Sequence, residues 1–295
     1  MTSTLADRVV LQSDELTVAV VPEKGARVTS VLNRRDRREW LTQPRGRSRV
    51  WPPLEVFTDS DHFGLDEMCP SVDPCQYPVA PYEGRWVPDH GELWRGIWEV
   101  VESADDSITQ RFHSQRFGYT FERRTELRGS SLRLDYRLEV NGPAVSLLWA
   151  LHPQFSMRPG SRLVLPGQRD VLLDTTAPLS PTDVAWPGEL IVERDVADGE
   201  DRMYYLHPDD VVKEATLVDD TGSWLSLRWD SLFARYLGIW VDRGRHGNGH
   251  VVAVEPTNGF FDDLERCYQR GTVPEYVSND LTTFWVEICV GEGAL

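Results

Sequence analysis

Hydrophobic and polar residues alternate with a period of two over many short stretches of the chain. The clearest stretch covers residues 132–140, where Leu132, Leu134 and Tyr136 are separated by charged residues. This alternation is typical of a β-strand with one buried and one solvated face. The same pattern predicts further strands at 16–21, 28–32, 119–127, 224–229, 236–241, 251–254 and 284–290.

Helical spacing is confined to one short segment, 261–270, where Leu264, Cys267 and Tyr268 lie three and four positions apart. Prolines and glycines punctuate the chain at turn positions such as Asn141-Gly142-Pro143. A parallel sheet of alternating strands and helices is therefore disfavoured. We predict an all-β protein, a large antiparallel β-sandwich with few short helices. We treat residues 1–295 as a single domain because no linker, composition break or internal repeat divides them.

The charge of the chain narrows the classes of partner. Its 295 residues include 47 acidic and 31 basic ones, which gives a net charge of −16. Such a chain repels nucleic acid and anionic membrane surfaces, so we expect neither as a partner. Its apolar runs are far shorter than the roughly 20 residues that span a bilayer. Because Asp7, Arg8 and Asp14 interrupt the N-terminal stretch, we expect no secretory signal, a cytoplasmic location and four reduced cysteines.

A cluster of arginines between residues 34 and 49 is the strongest basic feature. Asp36 and Glu39 lie within it, and the protein as a whole is acidic. We therefore interpret the cluster as a solvated hairpin and not as a polyanion site. Its members are Arg34, Arg35, Arg37, Arg38, Arg45, Arg47 and Arg49.

The segment around His90 combines aromatic, charged and flexible residues. Trp86, Trp94 and Trp98 flank His90-Gly91, and the glycine lets the backbone approach a ligand closely. A sugar ring offers C–H faces to indoles and hydroxyls to planar polar groups, so this mixture suits carbohydrate binding. The alternative is a tryptophan-rich core loop with a hydrogen-bonded histidine.

Two other polar residues follow apolar runs. His152 comes after 145–151 and before Pro153, and Glu255 comes after 251–254 and before Pro256. We predict that both lie where a buried strand ends. Desolvation there would raise the pKa of Glu255 toward the range of a general base at neutral pH. The alternative is a glutamate that turns outward into solvent.

Several segments, taken in order, resemble the aldose 1-epimerase (galactose mutarotase-like) superfamily of β-sandwich proteins over nearly the whole chain. The segment 21–28 resembles the opening strand and turn of the family, and 38–41 its short second strand. His90-Gly91 is similar to the first His-Gly of the family. His152, followed by Pro153-Gln154-Phe155, is similar to its second histidine, and Glu255-Pro256 to its late glutamate. The segment 64–70 resembles a subgroup of mutarotase-like proteins.

The resemblance implies a carbohydrate isomerase that interconverts the α and β anomers of a free sugar without a metal or organic cofactor. Glu255 would be the base, His152 the acid, and His90 would hold the ring oxygen or hydroxyls. The orienting aspartate of the family could be Asp230 or Asp242, and its sugar-binding arginine Arg27, Arg85 or Arg95. The predicted substrate-binding residues are Arg27, Asp66, Glu67, Trp86, Trp94, Arg95, Trp149, Trp240 and Asp242.

Three alternatives remain open at this point. A hexose-6-phosphate 1-epimerase would need a cationic patch, which Arg27, Arg85 and Arg95 could form. A non-catalytic carbohydrate-binding protein would keep the aromatic pocket without a matched acid and base. A metal site would use His90 with Glu92, or the pair His246 and His250, but glycines around the second pair oppose the helix that would align it.

Overall fold

The larger sheet of the protein holds the elements that carry His152 and Glu255. The structure is a computed structural model that describes residues 8–44, 57, 62–167, 169–177, 180–186, 188–246 and 249–293, without the side chain of residue 193. Within these residues the sheet has ten strands. Their order is β1 (Val9–Gln12), β2 (Leu16–Val21), β3 (Arg27–Asn33), β4 (Leu65–Met68), β12 (Ala150–Met157), β21 (His250–Thr257), β20 (Tyr236–Arg243), β17 (Asp201–Tyr205), β14 (Val171–Asp174) and β15 (Thr182–Ala185).

The second sheet has nine strands in the part of the chain that is described. Their order is β16 (Glu189–Ile191), β13 (Arg162–Val164), β18 (Glu214–Val218), β19 (Ser223–Trp229), β23 (Leu281–Glu292), β10 (Ser131–Val140), β9 (Tyr119–Arg128), β8 (Ser107–His113) and β7 (Glu99–Ser103). Two short pairs complete the set, β5 (Cys75–Gln76) with β6 (Trp86–Val87) and β11 (Val145–Ser146) with β22 (Glu275–Tyr276). The described residues also form a 3-10 turn, Leu93–Arg95, and two α-helices, α1 (Val192–Asp195) and α2 (Leu264–Arg270). The predicted all-β class is confirmed.

Strand β10 shows why the alternation was informative. Its buried residues, among them Leu132, Leu134 and Tyr136, point to one face, while the charged residues between them are partly exposed. The buried face packs into a hydrophobic cluster to which strands of both large sheets contribute. The sheets thus form a sandwich around a shared core, as sheet-on-sheet packing requires. The single-domain organisation remains a prediction.

The structure corrects two predicted element boundaries. The helix begins at Leu264 and not at residue 261, because the side chain of Asp263 accepts a hydrogen bond from the Arg266 amide and caps the helix there. The apolar run 145–151 is not one strand: β11 ends at Ser146 and β12 begins at Ala150. His152 and Glu255 therefore lie inside β12 and β21, and not at strand ends.

The arginine cluster is only partly solvated. Arg34, Arg35 and Arg37 are exposed at a turn, but Arg38 is buried beside Asp219, so the solvated-hairpin prediction is wrong for that residue. Arg45, Arg47 and Arg49 lie outside the described residues. The four cysteines are free thiols. Among the described residues no helix is both long and apolar enough to cross a membrane.

Candidate active site

A row of polar side chains crosses four neighbouring strands of the ten-stranded sheet. Cross-strand pairing sets His152 of β12 opposite Asp66 of β4. The register that pairs Val28 with Leu65 sets Arg27 of β3 opposite Asp66 on the other side. The register of β12 with β21, which pairs Ala150 with Thr257, sets Glu255 opposite His152. Because opposite residues on one face lie about 5 Å apart, the four side chains form one connected line.

The connected line lies on the face of the sheet that points away from the sandwich core. Side chains alternate between faces along a strand, so Asp66 and Glu67 of β4 point in opposite directions. Glu67 is fully buried between the sheets, where it forms a 2.5 Å ion pair with Arg123 and accepts a hydrogen bond from the Tyr136 hydroxyl. Burial raises its pKa, and the Arg123 charge opposes that rise. The structure therefore places Glu67 away from the cavity that Asp66 approaches.

Asp66 orients His152. One carboxylate oxygen lies 3.0 Å from Nδ1 of His152, and the other lies 2.5 Å from Nη2 of Arg27. Burial alone would raise the pKa of Asp66, but Arg27 and His152 outweigh burial and hold that pKa below its ordinary value. The ionised carboxylate keeps the proton of the imidazole on Nδ1 and leaves Nε2 facing Glu255. Arg27 also donates a hydrogen bond to the Phe63 carbonyl, so it supports the pair from behind.

Glu255 lies opposite Nε2 of His152. The two side chains are 5% exposed each, and Oε1 of Glu255 is 3.9 Å from Nε2. Burial raises the pKa of Glu255 to about 8, with Asp66 and Asp73 adding to the rise and His90 opposing it. The carboxyl group can thus gain or lose a proton near neutral pH, as a general acid or base must.

Two backbone features give the pair its room. Pro153 and Pro256 follow His152 and Glu255 and have no amide proton, and no ladder pairing of β12 with β21 occurs between Ala150 and Gln154. On the next strand, Gly238 lies opposite Glu255. A Cβ at Gly238 would lie 3.4 Å from Oε2 of Glu255 and 3.2 Å from the Tyr205 ring. Glycine therefore leaves space for both side chains.

His90 enters from a loop above the sheet. Its φ of 57° lies in the left-handed region, and the following Gly91 has a φ of 68°. A Cβ at Gly91 would lie 2.0 Å from the Cys69 carbonyl, so only glycine fits. Nδ1 of His90 is 2.7 Å from the Asp89 carboxylate, and the His90 ring stacks on Phe57 at 4.0 Å. The His90 and His152 ring centroids are 5.3 Å apart.

These residues enclose a cavity of about 260 Å³. Asp73 and Asp262 close the end beside Glu255. The Tyr205 hydroxyl donates a 2.6 Å hydrogen bond to Asp262, and burial, with Asp73 and Glu255 nearby, raises the pKa of Asp262 to about 8. The described lining residues are Phe57, His62, Met68, Val72, Asp73, His90, His152, Thr175, Thr176, Asp201, Met203, Trp240, His246, Glu255 and Asp262.

Four of the predicted site residues line this cavity: Glu255, His152, His90 and Trp240. Asp66 and Arg27 stand directly behind His152. The three predicted catalytic residues thus come together, although they are up to 165 positions apart in the chain.

Six other predicted substrate-binding residues, Asp242 among them, are not among the described lining residues. Trp149 is buried against Tyr136 and Phe284 in the core. Trp94 is fully buried and donates a hydrogen bond to the Asp89 carbonyl, so it supports the His90 loop. Trp86 lies on β6, which pairs with β5, and is 51% exposed. Glu67 faces the core, and Arg95 ends the 3-10 turn. Tryptophans and charged residues are frequent both in protein cores and in pockets. Residue type alone therefore assigned these residues to the pocket wrongly.

Asp242 also differs from the prediction. Its carboxylate accepts hydrogen bonds from the backbone amides of Arg245 and His246, so it shapes the turn after β20. Its strand neighbour Asp201, which the sequence analysis missed, lines the cavity instead. The other candidate, Asp230, accepts a hydrogen bond from the Leu232 amide in a turn. Asp201 lies in a polar stretch of β17 with no local sign of a site.

The titratable groups among the described lining residues are carboxyl groups and imidazoles. No lysine or arginine occurs among the described lining residues. Of the three arginines considered for a phosphate, Arg27 pairs with Asp66, Arg85 donates a hydrogen bond to the Arg116 carbonyl, and Arg95 is outside the lining. The described part of the chain contains no group of three or more acidic, histidine or cysteine side chains arranged to hold a metal ion.

No protein family model matches the chain, and no curated protein matches its sequence. Solved structures do match. A protein from Synechocystis sp. PCC 6803 superposes with a TM-score of 0.79 at 17% identity, over 99% of this chain and 98% of that chain.

Two further structures carry family names. A galactose mutarotase-like protein from Lactobacillus casei matches with a TM-score of 0.75 at 16% identity, over 97% of this chain and 100% of that chain. A galactose mutarotase related enzyme from Lactobacillus acidophilus gives 0.74 at 15% identity, over 98% and 100%. The chain therefore has the galactose mutarotase-like fold, and the resemblance drawn from its sequence is confirmed at that level.

Proposed function

We propose that the protein is an aldose 1-epimerase that interconverts the α and β anomers of a free, uncharged sugar. The observation that carries this proposal is the contact between Nε2 of His152 and Oε1 of Glu255, 3.9 Å apart at the floor of a sugar-sized cavity. The names of two structural neighbours, which refer to galactose mutarotase, agree with it.

The two groups match the two oxygens that must exchange protons. In a cyclic aldose the anomeric hydroxyl and the ring oxygen are bonded to the same carbon, so groups 3.9 Å apart can contact both. Glu255 takes the proton of the anomeric hydroxyl while His152 donates one to the ring oxygen. The bond from the anomeric carbon to the ring oxygen breaks, and an open-chain aldehyde forms.

Rotation about the bond from C1 to C2 then turns the other face of the aldehyde toward the former ring oxygen. That oxygen attacks and returns its proton to His152, while Glu255 gives its proton to the new anomeric hydroxyl. Both groups finish as they began, so no cofactor is consumed. The carboxylate of Asp66 holds the imidazole at Nδ1 and so directs Nε2 toward the ring oxygen.

The ionisation of Glu255 sets the pH at which this cycle begins. Its pKa of about 8 means that most of the free protein carries a protonated Glu255 at pH 7. The base form increases as the pH rises through that value. We expect kcat/KM to rise with pH on this limb, with an apparent pKa near 8.

A sugar phosphate is the less favoured substrate. Asp73, Asp201, Glu255 and Asp262 supply acidic groups to the lining, while the described lining offers no lysine or arginine to bind a phosphate. A non-catalytic sugar-binding protein would need no acid facing a base, so the contact of His152 with Glu255 favours the enzyme.

The test follows the optical rotation or the anomeric proton signals of freshly dissolved α-glucose and α-galactose, with glucose 6-phosphate in parallel. The wild type should accelerate the free sugars above the spontaneous rate. Glu255→Gln should lose at least 10³-fold in kcat and keep its sugar affinity. Glu102→Gln, which changes a side chain 72% exposed on β7, is the matched control and should keep full activity. Unchanged rates in Glu255→Gln, or a strong preference for the phosphate, would reject the proposal.

A further inference from the structure

The cavity is longer than a single sugar ring. Glu255 lies opposite Gly238 of β20, and Asp201 of β17 lies opposite Asp242, four residues further along β20. At about 3.4 Å per residue, Asp201 is roughly 14 Å from the row of Glu255 along the strands. Both side chains line the same cavity. One pyranose ring spans less than half of that length.

A continuous series of aromatic rings covers the same length. The Phe57 ring lies 5.1 Å from His152 and 5.1 Å from His62, between centroids. The His62 ring stacks on His246 at 5.7 Å, and His246 lies 6.1 Å from Trp240. The wall thus leads from the acid of the proposed reaction to the distant end of the cavity without passing through the core.

The distant end has the chemistry of a second sugar site. The Asp201 carboxylate is held by three donors: Arg245 at 2.5 Å, Nε2 of His246 at 3.4 Å and the Trp240 indole at 3.5 Å. A carboxylate fixed in this way can accept hydrogen bonds from a pair of neighbouring hydroxyls. The half-buried Trp240 offers an aromatic face beside it, which suits the C–H face of a sugar ring.

We propose that Trp240, His246 and Asp201 form a subsite for a second sugar ring, so that the substrate class is a reducing disaccharide or longer saccharide. This inference rests on the proposed epimerase activity. The reducing-end ring lies between His152 and Glu255, and the next ring extends along the cavity toward Trp240 and Asp201. An uncharged glycan also suits the described lining residues, which include no lysine or arginine.

The experiment compares cellobiose, maltose and lactose with glucose in anomerisation assays by NMR exchange. At least one disaccharide should have kcat/KM about tenfold above glucose, because its second ring adds an aromatic contact. Trp240→Ala and, separately, Asp201→Asn should bring the ratio of disaccharide to glucose kcat/KM toward one. Trp285→Ala, which removes a half-buried tryptophan on β23 of the other sheet, is the matched control and should leave the ratio unchanged.

Binding separates the two proposals. Calorimetry with cellobiitol, which cannot form a ring at its reduced end, measures the second-ring site without catalysis, and sorbitol is its single-residue counterpart. Tighter binding of cellobiitol that is lost in Trp240→Ala supports the subsite even if no sugar is anomerised, in which case only the epimerase proposal fails. Equal kcat/KM for glucose and all three disaccharides, with normal anomerisation of glucose, would overturn the subsite.

Discussion

Replacing Glu255 with glutamine should change how stability depends on pH. The native pKa of Glu255 is about 8, against 4.5 for the same group in water. Between these values the native chain binds one more proton than the unfolded chain. As the pH rises through this interval, the titration of this group alone therefore lowers the free energy of unfolding of the wild type by about 1.4 kcal/mol per pH unit. The stabilisation by protonated Glu255 is complete below pH 4.5 and is lost as the pH rises through 8.

Over the whole interval this contribution amounts to about 5 kcal/mol. Glutamine keeps the shape of the protonated side chain but cannot ionise. The Glu255→Gln variant therefore does not lose this stabilisation as the pH rises. The charge of Glu255 also helps to raise the pKa of Asp262, so the substitution lowers that pKa and the measured difference reports the titration of both carboxyl groups together. The free energy of unfolding of the variant should therefore increase steadily relative to that of the wild type as the pH increases from 5 to 8.

Urea denaturation at pH 5, 6, 7 and 8, followed by tryptophan fluorescence, measures the difference. The matched control is Glu102→Gln, whose difference from the wild type should stay flat across the series. If the curves of wild type and Glu255→Gln also run parallel, Glu255 is ionised in the native protein throughout. That result would refute the claim that burial of Glu255 outweighs its attraction to His90.

Three further substitutions test neighbouring parts of the site. Asp66→Asn should lower kcat by roughly 10²-fold in the anomerisation assay, because an amide replaces the carboxylate that orients the imidazole of His152 at Nδ1, and an unchanged kcat would contradict the orienting role. Glu67→Gln should cost about 3–5 kcal/mol in urea denaturation, since it leaves buried Arg123 without its partner, while kcat/KM per folded molecule stays within about twofold. Gly91→Ala should destabilise the protein by at least about 2 kcal/mol and lower kcat, because its Cβ would lie 2.0 Å from the Cys69 carbonyl, and a variant with wild-type melting and rate would show that this loop adapts.

The fold could be predicted because alternation reports burial directly. Strand β10 has the predicted buried face over Leu132, Leu134 and Tyr136. Strand ends were harder to predict where proline intervenes. Pro153 and Pro256 indicate strand ends in an isolated sequence, yet both lie within strands here because the missing amides fall between β12 and β21.

The site was predictable only where chemistry and local pattern coincide. His152 and Glu255 stand out because each is polar beside an apolar run. Asp66 and Glu67 are adjacent and chemically alike. Only the orientation of β4, which determines the face of the sheet to which each side chain points, decides that Asp66 approaches the cavity and Glu67 pairs with Arg123. Asp201 carries no local signal, since its position depends on which strands pair.

The row through Asp66, His152 and Glu255 also determines how the site can fail. The three groups are held by the registers of β4, β12 and β21, and a slip of one residue in any of these strands would turn its side chain into the core. Such a slip would bury a charge and expose apolar residues, so it is incompatible with the folded sheet. The acid and the base therefore come together only when the whole sheet folds in its native register. A partly denatured sample should lose turnover in proportion to its folded fraction, while the molecules that remain folded keep their full rate.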